Sequence, residues 1–146
     1  MGLTYKSPES EQEWHDYFRL RWQILREPWQ QPEGSECDEL EGQAFHLMAL
    51  DVNRNILGTG RLHRLSDSSA QIRYMAVDPQ HQGKGIGSQL LRLLEDEARE
   101  WGCREILLNA RSVSLEFYLR HGYQVIGEAP MLFDSIAHQR MRKALA

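Results

Sequence analysis

The sequence predicts a mixed α/β (α+β) fold, an antiparallel meander that runs into a strand, crossover helix and parallel strand, so that one parallel pair sits within a mostly antiparallel sheet. Three observations predict it. Residues 44–51 and 56–65 are apolar-rich runs on either side of Val52-Asn53-Arg54-Asn55, whose asparagines favour a tight turn. In residues 70–77, Ile72, Tyr74 and Ala76 alternate with Arg73, Met75 and Val77 until Asp78-Pro79 closes the run, which adds a third strand. A glycine cluster and an amphipathic stretch then separate that strand from the short buried run Ile106-Leu107-Leu108, and such a return in parallel needs a crossover helix.

The other elements follow in order. Residues 3–6 form a short first strand, after which Ser7-Pro8 and the capping box Ser10-x-x-Glu13 offer helix starts. Trp14, Tyr17, Phe18, Leu20, Ile24 and Leu25 recur near helical spacing, with Arg19, Arg21 and Arg26 as polar positions, and Pro28 ends the helix near Arg26. Residues 27–43 hold Pro28, Pro32, Gly34 and Gly42 without periodicity and read as a long loop with room for one helical turn. The crossover helix carries Ile86, Leu90, Leu91, Leu93, Leu94, Ala98 and Trp101 on one stripe, with Gly102 as its C-cap. A helix over 112–121, ended by Gly122, and strands over 123–127 and 136–144 complete the order.

Composition bounds the function. With 146 residues, 41% hydrophobic and 26% charged, the chain suits a single domain spanning 1–146. Lys plus Arg is 17 against 21 for Asp plus Glu, a net charge of −4, which disfavours nucleic-acid backbones and anionic membranes and favours cationic or neutral partners. Cys37 and Cys103 form no CxxC pair, and no stretch is apolar enough for export or a bilayer span, so a reducing cytoplasm is the expected location.

The chemistry centres on Gln82-Gly83-Lys84-Gly85-Ile86-Gly87-Ser88, placed between a strand and the strongest helix. Glycines let backbone amides approach an anion closely, and the first helical turn adds unpaired N–H groups and a positive dipole end, which together make a phosphate or pyrophosphate cradle. A dinucleotide fingerprint starting at Gly83 would need glycine where Ser88 stands, and a P-loop would need Ser or Thr after its lysine where Gly85 stands. Read alone, the cluster is equally a glycine-rich turn capping a helix.

At these residues the sequence resembles the GNAT superfamily of acetyl-CoA-dependent N-acetyltransferases. The signature of that family is Gln or Arg, two residues, Gly, one residue, then Gly or Ala, met here by Gln82 to Gly87. The resemblance includes the preceding strand Tyr74-Met75-Ala76-Val77-Asp78-Pro79 and a second motif at Phe117-Tyr118-Leu119-Arg120-His121-Gly122-Tyr123. It covers the C-terminal two-thirds closely and the rest in outline. The segment from Ala44 to Leu62 looks most like the small ElaA-type branch.

The resemblance implies a three-layer αβα fold whose central parallel pair is splayed at the acyl-CoA site, and acetyl transfer to a primary amine without an acetyl-enzyme. It places the pantetheine arm along the backbone of Met75, Ala76 and Val77 as an added strand, with a backbone N–H there facing the thioester carbonyl. Gln82, Gly83, Gly85, Ile86, Gly87 and Ser88 would carry the pyrophosphate, with Lys84 as a nearby charge or a solvated loop lysine. Asn109 would bond the pantetheine arm or a water, or simply start a turn, and Phe117 falls on the cofactor side. Tyr118 takes the role of the acid that protonates the leaving thiolate; by itself it reads as a core aromatic beside Leu115, Phe117 and Leu119.

Several family members place a Glu before the glycine loop, where this strand has Arg73 and Tyr74. That leaves a water chain or a histidine of another strand, such as His46 or His63, as base, although each of these histidines reads more readily as an exposed or satisfied strand residue, and it keeps open a non-catalytic acyl-CoA sensor. Transfer of another acyl group is a third reading. Glu33, Glu36, Asp38, Glu39 and Glu41 suggest an acidic rim that attracts the amine, or a solvated acidic loop. His15, His81, His121 and His138 lack metal-ligand spacing, and no metal is assigned. Family members pair through sheet edges or C-terminal strands, so the resemblance allows a homodimer.

Overall fold

The computed structural model describes residues 2–133 and 135–145. Met1 and Ala146, end points of the single domain read from the sequence, lie outside the described residues. In chain order these form β1 (Thr4–Lys6), α1 (Glu11–Leu25), β2 (Phe45–Leu50), β3 (Ile56–Arg64), β4 (Ser69–Val77), α2 (Ile86–Glu100), β5 (Glu105–Arg111), α3 (Leu115–Arg120), β6 (Gln124–Leu132) and β7 (Ile136–Ala144). Among the described residues the strands make one sheet in the order β1-β2-β3-β4-β5-β7-β6, in which only β4 and β5 run parallel. The mixed, mostly antiparallel sheet read from the sequence is the observed one.

Alternation along β2 separates two cores. Leu47 and Ala49 join Leu57, Leu62, Ile72, Leu90, Leu94 and Ile106 under α2, whereas Met48 and Leu50 join Tyr17 of α1. Helices therefore cover both faces of the sheet. Gly58 and Gly60 let α2 lie close on β3, since a Cβ at Gly58 would stand 2.9 Å from Leu90 and one at Gly60 2.8 Å from Leu94.

Helix α1 starts with the expected capping box, Ser10 accepting from the Glu13 amide. Its buried face differs from the expected one. Glu13, Tyr17 and Arg21 are the inward residues, and Arg26 just beyond is buried too, so Arg21 and Arg26 are not outer polar positions. The reason is the 27–43 segment, which folds back over this face and supplies oxygen acceptors to both guanidinium groups. In the hairpin turn, Arg54 rather than an asparagine takes the left-handed conformation (φ 66°), and Asp51 accepts from the Asn53 and Asn55 amides. β6 runs to Leu132, beyond the expected 123–127, because an edge strand with register shifts tolerates Pro130.

Candidate active site

The site begins where the parallel pair parts. β4 and β5 are in register only at Ser69–Glu105, Ala70–Ile106 and Gln71–Leu107, although both strands continue. Beyond that point β4 stays paired with β3 and β5 with β7, so a gap opens between Ile72–Val77 and Leu108–Arg111. A bulge sharpens the divergence: between the pairs Thr59–Ala76 and Arg61–Arg73, β4 has one residue more than β3. Tyr74 in that bulge has φ 59°, a left-handed conformation that an aromatic residue adopts only under constraint. Its buried ring is held beneath the guanidinium groups of Arg21 (4.2 Å), Arg73 (4.5 Å) and Arg61 (5.0 Å).

Two cavities adjoin this gap. The larger, about 540 Å³, runs past Met75, Ala76 and Val77 to Gln82, Gly83 and Gly85 and on to the first turn of α2. The smaller, about 270 Å³, lies between Arg73 and Tyr74 of β4, Asn109 of β5 and His138 of β7. Met75, Arg111, Ser114 and Tyr118 line both, so these four residues mark where the contents of the cavities meet.

The glycine turn has the geometry of an anion cradle. Gly83 and Gly85 have φ of 82° and 84°, and nothing lies within 4 Å of a Cβ built at either, so the turn is open on that side and is held by a backbone conformation that favours glycine. Gly85 is the N-cap of α2 and contributes no side-chain cap, which leaves the first-turn N–H groups for a ligand. At Gly87 that turn lies against α3, where a Cβ would stand 3.4 Å from the Phe117 ring in ordinary van der Waals contact. His121 fixes the same contact from behind, with Nε2 2.9 Å from Ser88 Oγ and Nδ1 2.7 Å from the Phe117 carbonyl.

Of the residues named from the sequence, Met75, Ala76, Val77, Gln82, Gly83, Gly85, Ile86, Gly87, Ser88, Phe117 and Tyr118 line the larger cavity. Lys84 does not; it is exposed between the two left-handed glycines. Asn109 lines the smaller cavity instead of the larger. Tyr118 is buried, which pushes its phenol above the ordinary value against the opposing charge of Arg111.

Of the histidines weighed as a base, His46 and His63 lie away from both cavities, and His46 is a satisfied strand residue. His46 has both ring nitrogens engaged, Nδ1 2.9 Å from Tyr17 Oη and Nε2 2.7 Å from the Glu41 carbonyl, and His63 lies against Arg61 at 3.1 Å. Neither lines a cavity. His138 does, and sequence reasoning passed over it because a half-buried strand histidine has no local signature. Burial lowers its pKa below the usual imidazole value; the Ile136 carbonyl opposes this, and the charges of Arg111, Arg26 and Arg73 reinforce it. Nδ1 lies 3.0 Å from that carbonyl, which favours the proton on Nδ1 and leaves Nε2 as the acceptor.

The acidic segment is not a free rim. Asp38 binds Arg61 (2.6 Å) and Arg73 (2.9 Å), Glu41 binds Arg21 (3.0 Å) and Arg61 (2.9 Å), and Glu36 accepts from the Gly34 amide, so three of the five acids are tied into the protein. Arg26, Arg111 and Ser114 are further cavity residues that sequence reasoning did not single out. Among the described residues no cluster of three or more metal-ligating side chains occurs.

A sheet opened between parallel strands, with an amide-lined glycine turn at one end of the opening and a buried tyrosine at its centre, defines an acyltransferase. The chain belongs to the acetyltransferase (GNAT) family, whose model matches residues 14–123. It is 30% identical over 135 residues to an uncharacterized N-acetyltransferase, YjcF, of Bacillus subtilis, covering 92% of this chain and 95% of that one. Among solved structures it is similar to an acyl-CoA N-acyltransferase from Pseudomonas aeruginosa, with TM-score 0.79, 27% identity, and coverage of 97% and 98% of the two chains. Escherichia coli ElaA, the branch that the 44–62 segment resembles, shares the fold with TM-score 0.81 at 16% identity, covering 97% of this chain and 99% of that one.

Proposed function

We propose that this acyltransferase moves an acetyl group from acetyl-CoA to a primary amine by direct attack in a ternary complex. The observation that carries the reading is the meeting of two cavities at Met75, Arg111, Ser114 and Tyr118, one fitted to a nucleotide-bearing donor and the other to a small acceptor. In this reading the pantetheine arm lies along Met75–Val77 in place of a strand partner, and the pyrophosphate rests on amides of the 82–88 turn.

The amine nitrogen attacks the thioester carbonyl carbon, and a β4 backbone N–H supports the oxyanion as it forms. The C–S bond then breaks, and Tyr118 Oη gives its proton to the departing thiolate. His138 Nε2 takes the proton that the amine nitrogen sheds. Neither cysteine supports an acetyl-enzyme, because neither lines either of these two cavities. The Cys37 thiol is pushed up to about 11 by lost solvation and by Glu36 and Glu41.

A second reading, an acyl-CoA sensor without turnover, draws on the lack of any carboxylate among the described residues lining either cavity. Thiol release from acetyl-CoA, measured with amines, polyamines, amino acids and peptides, separates the two. Release with any acceptor supports transfer, and tight CoA binding without release supports the sensor. Other acyl-CoA donors in the same assay test whether acetyl is the preferred group. A cytoplasmic single-domain enzyme, acting on neither nucleic acid nor membranes and free to pair with a second copy, completes the proposal; among the described residues no helix is long and apolar enough to cross a membrane.

A further inference from the structure

We infer that the acceptor is a small amine that also bears an acidic group, a carboxylate or a phosphate, gripped by Arg26, Arg73 and Arg111 in the smaller cavity. This rests on the acyl-transfer reading above and names the acceptor's chemical class. Among the described residues, that cavity is lined by these three arginines and by no aspartate or glutamate. An acceptor with only positive charges would enter against them.

The arginines are not equally compensated. Arg26 is 7% exposed, and its described hydrogen bonds go to carbonyls, Nε to Ser35 at 3.0 Å and Nη1 to Leu25 at 3.0 Å. Arg111 is half-buried and forms no ion pair with a described residue. Arg73 shares Asp38 through one nitrogen. A sheltered guanidinium with only neutral partners is a costly arrangement that an incoming anion relieves. Arg26, Arg73, Arg111 and His138 all line this one cavity, so the three charges face one small volume.

The donor does not account for this charge. Arg26 and Arg73 line the smaller cavity alone and Arg111 borders both, while the larger one has Arg120 and the glycine turn of its own. Leu25, Ile72, Leu132 and Ile136 add apolar wall to the smaller cavity, and about 270 Å³ suits a small molecule. The same cations disfavour the ammonium form of a bound amine, so the acid group anchors the acceptor while the arginines help free its lone pair. That supplies, through the substrate, part of what a strand carboxylate supplies elsewhere.

The test is thiol release from acetyl-CoA with matched pairs: an amino acid against its carboxamide, an aminoalkyl phosphate against its amino alcohol, and spermidine as a polycation. At least one acidic member should exceed its neutral mate in kcat/KM by about tenfold or more, the scale of one charge-assisted hydrogen bond, and the pair that does so separates carboxylate from phosphate. Arg26→Gln and Arg111→Gln should each collapse that ratio, and Arg26→Gln should leave CoA affinity within about twofold. Arg111 has the fewer protein contacts, so its variant carries the test if Arg26→Gln fails to fold. Without CoA, the preferred acid should raise the melting temperature of the protein and not of either variant. Equal or better transfer to neutral or polycationic amines overturns this inference and leaves acetyl transfer standing. CoA binding without release on any amine overturns acetyl transfer itself, and the melting shift then decides whether the cavity takes acids.

Discussion

Asp38 Oδ1 accepts a hydrogen bond from Arg61 Nη1 at 2.6 Å, and Arg61 is wholly buried, so one carboxylate fastens the 27–43 segment to the centre of the sheet. Its other oxygen accepts from Arg73 at 2.9 Å, at the edge of the smaller cavity. Burial would raise the Asp38 pKa, but Arg61, the Leu40 amide and Arg73 overcome it and hold the group down to about 2. The stability from this pairing is complete above the unfolded value of about 3.9 and is lost as pH falls through about 2. Asp38→Asn should destabilise the fold by about 1–3 kcal/mol, with Glu41 still holding Arg61. Urea unfolding across pH checks both, and the variant should lack the part of the acid slope that Asp38 supplies.

A methyl group at position 60 should disturb both fold and site. The Cβ would stand 2.8 Å from Leu94 Cδ1 and 2.8 Å from Met75 Sδ, and Met75 lines both cavities. Gly60→Ala should cost about 1–3 kcal/mol as overpacking, read as a lower urea midpoint with an unchanged slope. An altered KM for the acceptor should accompany it, since Met75 is the flexible group that must give way.

What the sequence displayed clearly was whatever repeats at short range. The alternation of residues 70–77, the stripe from Ile86 to Trp101 and the glycines at 83, 85 and 87 each follow one element's period or turn chemistry, and each lies where expected. Arg21, Arg26 and His138 were illegible for the opposite reason. Arginine on a helix reads as solvent-facing, and only the return of the 27–43 segment supplies the oxygens that make its burial tolerable. Similarly, Asp38 and Glu41 read as a free acidic rim because their partners Arg61, Arg73 and Arg21 lie 20 or more positions away in the chain. The bulge at Tyr74 escaped notice because alternation of burial continues through it.

Tyr118→Phe should lower turnover by about 10²–10⁴, the usual contribution of a positioned proton donor, with acetyl-CoA affinity within about threefold. The ring stays packed against Phe117 at 5.1 Å and Tyr123 at 5.7 Å, so only the proton source is removed. Steady-state thiol release and calorimetric CoA titration separate the two quantities. An unchanged rate would assign the thiolate's proton to solvent.

Gly85→Val should remove most CoA affinity while the domain remains folded. Space exists for the added Cβ, but φ of 84° is hostile to a β-branched residue, and turning the backbone away from it withdraws the amides at the N-terminus of α2. Melting temperature and CoA titration are the measurements, and retained affinity would show that the phosphates bind elsewhere.

The acid limb of the rate profile should belong to His138. A base works only when neutral, and burial together with Arg111, Arg26 and Arg73 keeps this imidazole neutral to a pH below its usual value of about 6.5. Plotted against pH, kcat/KM should therefore rise through an inflection on the acidic side of that value, and it should rise again as the free acceptor loses its ammonium proton. His138→Gln should abolish the lower inflection, keep the upper one and reduce the plateau by about 10²–10⁴. Arg111→Gln removes one of the three charges that hold the imidazole neutral, so it should move the lower inflection towards higher pH while the histidine remains. A water acting as base predicts the reverse pattern, a lower inflection indifferent to both substitutions. The shift in Arg111→Gln is therefore the more telling measurement, because loss of packing at position 138 could slow the enzyme but could not move a titration.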